Sequence, residues 1–92
     1  FMTDIDTAKV RRLDMTLLLV FAETLRLRKL TLVAQRMGLT QPAISHSLAR
    51  LREIFGDPLF LRRPHGLEPT ARARELERHV SAILHLAQSA LA

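Results

Sequence analysis

Apolar residues recur at helical spacing in four stretches of the chain, with one short extended segment between the third and the fourth. Leu17, Leu18, Phe21 and Leu25 follow Asp14, a residue type suited to a helix N-cap, and predict a first helix running to about Arg28. Leu19 and Val20 widen its stripe beyond what a small core needs, so this helix should meet an additional packing partner. Thr31 is the expected cap of a short second helix ending near Met37, with Gly38 following where a left-handed backbone costs least. After the turn at Gly38, Thr40 caps a third helix. Pro42 falls in its first turn, where the missing N–H has no intrahelical acceptor to lose.

In the third helix Ile44, Leu48, Leu51 and Phe55 are spaced by 4, 3 and 4 residues and must face inward. At about 100° per residue the opposite face carries Pro42, Ser45, His46, Ala49 and Arg50. That face is low and free of acid over its first two turns, since Glu53 enters only near the far end. Asp57-Pro58 forces an extended backbone. Leu59 to Arg63, the turn Pro64-His65-Gly66 and Leu67 to Pro69 then read as a small β-hairpin, or wing. Thr70 begins the last helix, in which Ala73, Leu76, Val80, Ile83, Ala87 and Leu91 mark a near-heptad seam widened by Leu84 and Ala90. A helix with so broad a seam is expected to find a second helix to bury against.

Composition narrows what these elements can do. The 92 residues carry 14 Lys and Arg against 9 Asp and Glu, a formal charge of +5. The surplus is +3 over residues 1–40 and +2 over 41–66, while 67–92 is neutral. Basic charge on the helix pair and hairpin suits an acidic partner, nucleic acid first. Cysteine is absent, which removes disulfides, thiolate metal sites and thiol nucleophiles together. The longest apolar run, Leu17 to Ala22, is far short of the roughly 20 residues of a membrane span. Residues 1–12 read as a leader without a secretory pattern, with Phe1 a remnant before a plausible initiator Met2. A cytoplasmic location follows from these readings.

The second and third helices, joined by a turn containing Gly38, form a helix-turn-helix, whose second member must present its N-terminal turns to base edges. Gln41 can pair bidentately with adenine, Pro42 and Ala43 can touch a thymine methyl, and His46 can reach a purine edge. Thr31, Thr40 and Ser45, with Arg50 on the flank, are suited to phosphate. Arg62, Arg63 and His65 on the wing could meet the backbone or a minor groove, the competing reading being solvated charges on a hairpin. His79 and His85 lie six apart on different helix faces and are not expected to form a metal pair, and no metal or cofactor is expected elsewhere. Ser45-His46 lacks the geometry and the buried acid of a nucleophile and base.

In order, Leu39-Thr40-Gln41-Pro42-Ala43-Ile44-Ser45, Leu48-Ala49-Arg50-Leu51, Phe55-Gly56-Asp57-Pro58-Leu59-Phe60, Arg62 and Glu68-Pro69-Thr70 make a sequence that resembles the N-terminal DNA-binding domain of LysR-type transcriptional regulators over about residues 12–92. The resemblance implies a mainly α fold: a winged helix-turn-helix at 13–69, then a long linker helix at 70–92 that dimerises with its counterpart. It carries DNA contacts to Gln41, Pro42 and Ser45, and less directly to His46, where many members have Arg. Leu32 and Val33 also depart from the small residues common at the start of the family's second helix. It further implies an interrupted palindrome with a T and an A at dyad-related ends, a possible tetramer in a full-length protein, and a small-molecule effector bound by a C-terminal domain missing from these residues.

The reading is therefore a dimeric, sequence-specific double-stranded DNA-binding module, with Leu19, Val20, Leu76, Val80, Ile83, Leu84, Ala87 and Leu91 as candidate dimerisation residues. A helical protein-interaction module working through the first and last helices is the alternative. The acid-free face of the third helix separates the two, because an interaction module does not require it. An enzyme ranks third, since no convergent acid and base set is evident.

Overall fold

The apolar stripes meet around one central helix. A computed structural model describes residues 4–92 and holds α1 (Thr7–Val10), α2 (Met15–Leu27), α3 (Leu30–Met37), α4 (Gln41–Phe55), β1 (Phe60–Arg63), β2 (Gly66–Pro69) and α5 (Ala71–Leu91). The expected remnant Phe1 and initiator Met2 lie outside the described residues. The leader is partly helical: the Asp6 carboxylate accepts from the Lys9 N–H at 3.1 Å and starts the single turn of α1.

Asp14 caps α2 by accepting from the Leu17 N–H at 2.8 Å. α2 packs against α3, α4, α5 and β2, and Val20 and Phe21 are buried among them. Much of its broad stripe thus finds its additional partner within the chain. Thr24, also buried, donates its hydroxyl to the Val20 carbonyl at 2.7 Å, which offsets the cost of enclosing a polar group.

The second helix starts two residues earlier than a cap at Thr31 predicts. Arg28 ends α2 in the left-handed region (φ 64°), Lys29 becomes the N-cap without a side-chain bond, and Leu30 joins the helix while packing against the core. Thr31 therefore lies inside the first turn and caps nothing. Gly38 and Thr40 behave as expected: Gly38 is left-handed at φ 66°, and the Thr40 hydroxyl accepts from the Ala43 N–H at 3.2 Å. Ile44, Leu48 and Leu51 are buried, whereas Phe55 is half-buried at the helix end, its ring centroid 5.9 Å from the Arg72 guanidinium carbon.

β1 and β2 pair antiparallel, with Phe60 opposite Pro69, Leu61 opposite Glu68, Arg62 opposite Leu67 and Arg63 opposite Gly66. Pro64 and His65 make the connection. The strand opens at Phe60 and not at Leu59, because Leu59 is left-handed (φ 62°) and the Phe60 N–H bonds back to the Pro58 carbonyl at 2.7 Å, closing a three-residue turn. The wing is joined to the end of α2, since the Leu67 N–H donates to the Arg28 carbonyl at 2.7 Å. Gly66 permits this approach: at its φ of 134° an added Cβ would stand 2.8 Å from the Arg28 carbonyl oxygen.

Thr70 caps α5 by accepting from the Ala73 N–H at 3.2 Å. The first half of α5 buries Ala73, Leu76 and Val80 against the core. Beyond Val80 the helix leaves its support, and its apolar side chains become increasingly bare.

Candidate nucleic-acid interface

The face of α4 turned away from the core is polar from its first residue. Gln41, Pro42, Ser45, His46 and Arg50 are exposed, Ala43 and Ala49 are half-buried, and no acidic residue occupies the first turn. Because Ile44, Leu48 and Leu51 fix the rotation of the helix, these side chains are held outward by the core itself. Ala43 is the least available of the predicted base-reading residues.

The wing stands beside this helix. Arg62, Arg63 and His65 are exposed, and an open hollow of about 300 Å³ between wing and helices is lined by Lys29, Leu30, Thr31, Gln41, Arg62, Arg63, Gly66 and Leu67. Four predicted residues, Thr31, Gln41, Arg62 and Arg63, thus converge on one concavity. Their cations are not equivalent. Arg63 Nε lies 3.1 Å from Glu68 Oε2 across the hairpin, whereas Arg62 has no ion pair among the described residues. Lys29 belongs to the same hollow and was not singled out by the sequence. Its place depends on the start of α3 shifting back by two residues, which no local pattern announces.

One charged cluster braces the helix pair from elsewhere. Glu23 on α2 accepts from Arg26 Nη2 at 2.8 Å and from Arg36 Nε on α3 at 3.3 Å. The hydrogen bond from Arg26 is the main reason that its carboxyl titrates below the ordinary 4.5, and Arg36 adds to the effect. This clamp is exposed and modest, but it fixes α3 on α2 with ion pairs rather than apolar area alone.

The candidate dimerisation residues divide into two groups. Val20, Leu76 and Val80 lie in the chain's own core, with Val80 only 4% exposed, so they are not on a surface that a second chain could touch in this fold. The periodicity on which they were chosen is that of an internal helix contact. Leu19 is 43% exposed on α2, while on α5 Ile83 is 39% and Leu91 88% exposed, and Leu84 and Ala87 are half-buried. Leu86, outside the predicted seam, is 71% exposed.

Residues 15–74 match the family described as bacterial regulatory helix-turn-helix protein, lysR family. The chain belongs to the lysR family. One LysR-family relative is the HTH-type transcriptional regulator PhcA of Ralstonia nicotianae, 56% identical over 73 residues, which cover 79% of this chain and 21% of PhcA. Among solved structures, the probable transcriptional regulator PA0477 from Pseudomonas aeruginosa superposes with a TM-score of 0.84 at 39% identity, over 91% of this chain and 28% of that one. A complex of the CbnR DNA-binding domain with DNA shares the fold at a TM-score of 0.78 and 24% identity, over 85% of this chain and 90% of that one. The expected winged helix-turn-helix followed by a long helix is therefore the LysR-family architecture. The chain spans about a fifth of the length of PhcA and somewhat more than a quarter of PA0477. Among the described residues no helix is long and apolar enough to cross a membrane.

Proposed function

We propose that this chain is a sequence-specific double-stranded DNA-binding domain of a bacterial LysR-type transcriptional regulator, acting without enzymatic chemistry and in the cytoplasm. The observation that carries the reading is the outward face of α4, acid-free in its first turn and flanked by the hollow into which Lys29, Arg62 and Arg63 open. An α-helix fits the major groove if its leading face is slim and hydrogen-bonding. On this reading Gln41 pairs with adenine, Pro42 contacts a thymine methyl, and Ser45 and His46 follow one turn on, a reading supported by their exposure on α4. Thr31, Thr40, Arg50 and the wing residues Arg62, Arg63 and His65 supply phosphate or minor-groove contacts.

The reading extends to a homodimer on an interrupted palindrome, with residues 13–69 engaging DNA and 70–92 joining the copies. It is supported by the apolar end of α5, where Ile83, Leu86 and Leu91 are exposed, increasingly so along the helix. A tetramer and a small-molecule effector would belong to further domains of a longer protein. The test is a selection from random duplexes at physiological salt, followed by affinity measurements as salt is varied. A single enriched half-site motif with a steep fall of log K against log salt is expected. No enrichment, together with a flat salt response, overturns the proposal.

A further inference from the structure

The wing is held by a carboxylate that its charge pattern gives no reason to notice. Asp57 Oδ1 accepts from the Leu59 N–H at 2.7 Å and from the Thr70 hydroxyl at 2.8 Å. The same Thr70 hydroxyl oxygen accepts from the Ala73 N–H, and the Thr70 N–H donates to the Leu59 carbonyl at 2.9 Å. Entry to β1 and exit from β2 therefore meet at one carboxylate oxygen, and the Thr70 hydroxyl carries the link on to the first turn of α5. Between them, Leu59 sits in a left-handed conformation that an L-residue with a Cβ adopts at a cost, yet its side chain is buried. Glycine would relieve the backbone but vacate the core, so the conformation must be enforced by its surroundings. Asp57 bonds to the Leu59 N–H and Thr70 to its carbonyl, and Asp57 holds Thr70 in turn.

We infer that Asp57 is a positioning residue for DNA engagement: its carboxylate fixes the wing at the angle that sets Arg62 beside the leading end of α4, and ties that angle to the start of α5. This rests on the DNA-binding reading above. Asp57 is half-buried and points its bonded oxygen into the chain, so it acts through the wing without touching DNA itself. The acceptor oxygen matters more than the charge. Asparagine keeps that oxygen, whereas alanine removes it.

The test combines amide hydrogen exchange on the whole chain with binding to a short random-sequence duplex. Asp57→Ala should speed exchange at Leu59, Leu67 and Thr70 at least roughly tenfold, the scale expected for losing hydrogen bonds to a charged acceptor, while Leu48 and Leu51 in α4 keep their protection. Asp57→Asn should restore most of it. In binding, Arg62→Ala should weaken the native chain severalfold but have little further effect in an Asp57→Ala background. Unchanged wing exchange in Asp57→Ala, or the same loss at Arg62 in both backgrounds, overturns the inference. Global loss of protection in Asp57→Ala that Asp57→Asn fails to repair would also overturn it, by making Asp57 a general stability residue. Failure of the native chain to bind the duplex at all would instead count against the DNA-binding reading, and the exchange measurements would still decide whether Asp57 orders the wing.

Discussion

α4 and α5 each bury one apolar stripe, but their outer surfaces answer different needs. On α4 the stripe of Ile44, Leu48 and Leu51 spans most of the helix, Ile54 and Phe55 pack on the core at its end, and the exposed residues are polar or small. On α5 the stripe is fully buried as far as Val80 and half-buried at Leu84, while Ile83, Leu86 and Leu91 carry the apolar pattern toward solvent. A polar outer face with few acids suits a hydrated polyanion, where contacts are hydrogen bonds and ion pairs. A bare apolar face is stabilised only by excluding water, which takes another apolar surface. The contrast teaches that one heptad-like seam can change its role midway: Val80 is 4% exposed, whereas Ile83, three residues on, is 39% exposed and Leu86 71%.

The sharpest way to break this contrast is to place the same charge on either side of the boundary. Val80→Asp buries an unpaired carboxylate and should remove about 3–5 kcal/mol, leaving the chain largely unfolded by circular dichroism. Leu86→Asp places the same group on the bare stretch and should leave the helical signal and melting cooperativity intact, while the sedimentation mass falls to that of a monomer. If both variants unfold, or both merely dissociate, the boundary lies elsewhere.

The α4 side of the comparison is sharpened by Gln41→Ala, expected to cost about 1–3 kcal/mol on the selected site and little on other sequences. Uniform weakening on all sequences would reassign Gln41 to phosphate. The smallest effect concerns the clamp behind α4. Glu23 titrates lower in the folded chain than when unfolded, so its contribution is present above pH 4.5 and is lost as acid protonates it through its depressed folded value. Glu23→Gln should remove about 1 kcal/mol or less at neutral pH and flatten the acid limb of the stability curve below pH 4.5. An unchanged acid limb would show that Arg26 and Arg36 do not hold this carboxylate in solution.

Much of α4 could be read from the chain because its determinants are local. A threonine cap, a proline in the first turn, a glycine at the end and a 4-3-4 spacing all lie within the helix that they define. Leu59 is the opposite case. Its left-handed backbone depends on Asp57, Thr70 and a buried site shared with α2 and α5, none of which a window around Leu59 contains. Thr31 misled for a related reason: a good capping residue stood nearby, but the core contact of Leu30 extended the helix past it. The α5 seam misled in another way: periodicity reports which positions are buried and not by which chain, and Leu76 and Val80 are buried by this chain's own core.

The uninterrupted run of α5 past Val80 also makes it an angular reference. With about 100° and 1.5 Å per residue, one residue inserted between Val80 and Ile83 would swing the bare stripe through more than a quarter turn relative to the face of α4. Seven inserted residues would return it nearly to phase, displaced along the axis by about 10 Å. Length changes in this helix are thus not graded: they preserve the relation between the two surfaces only in steps of whole turns.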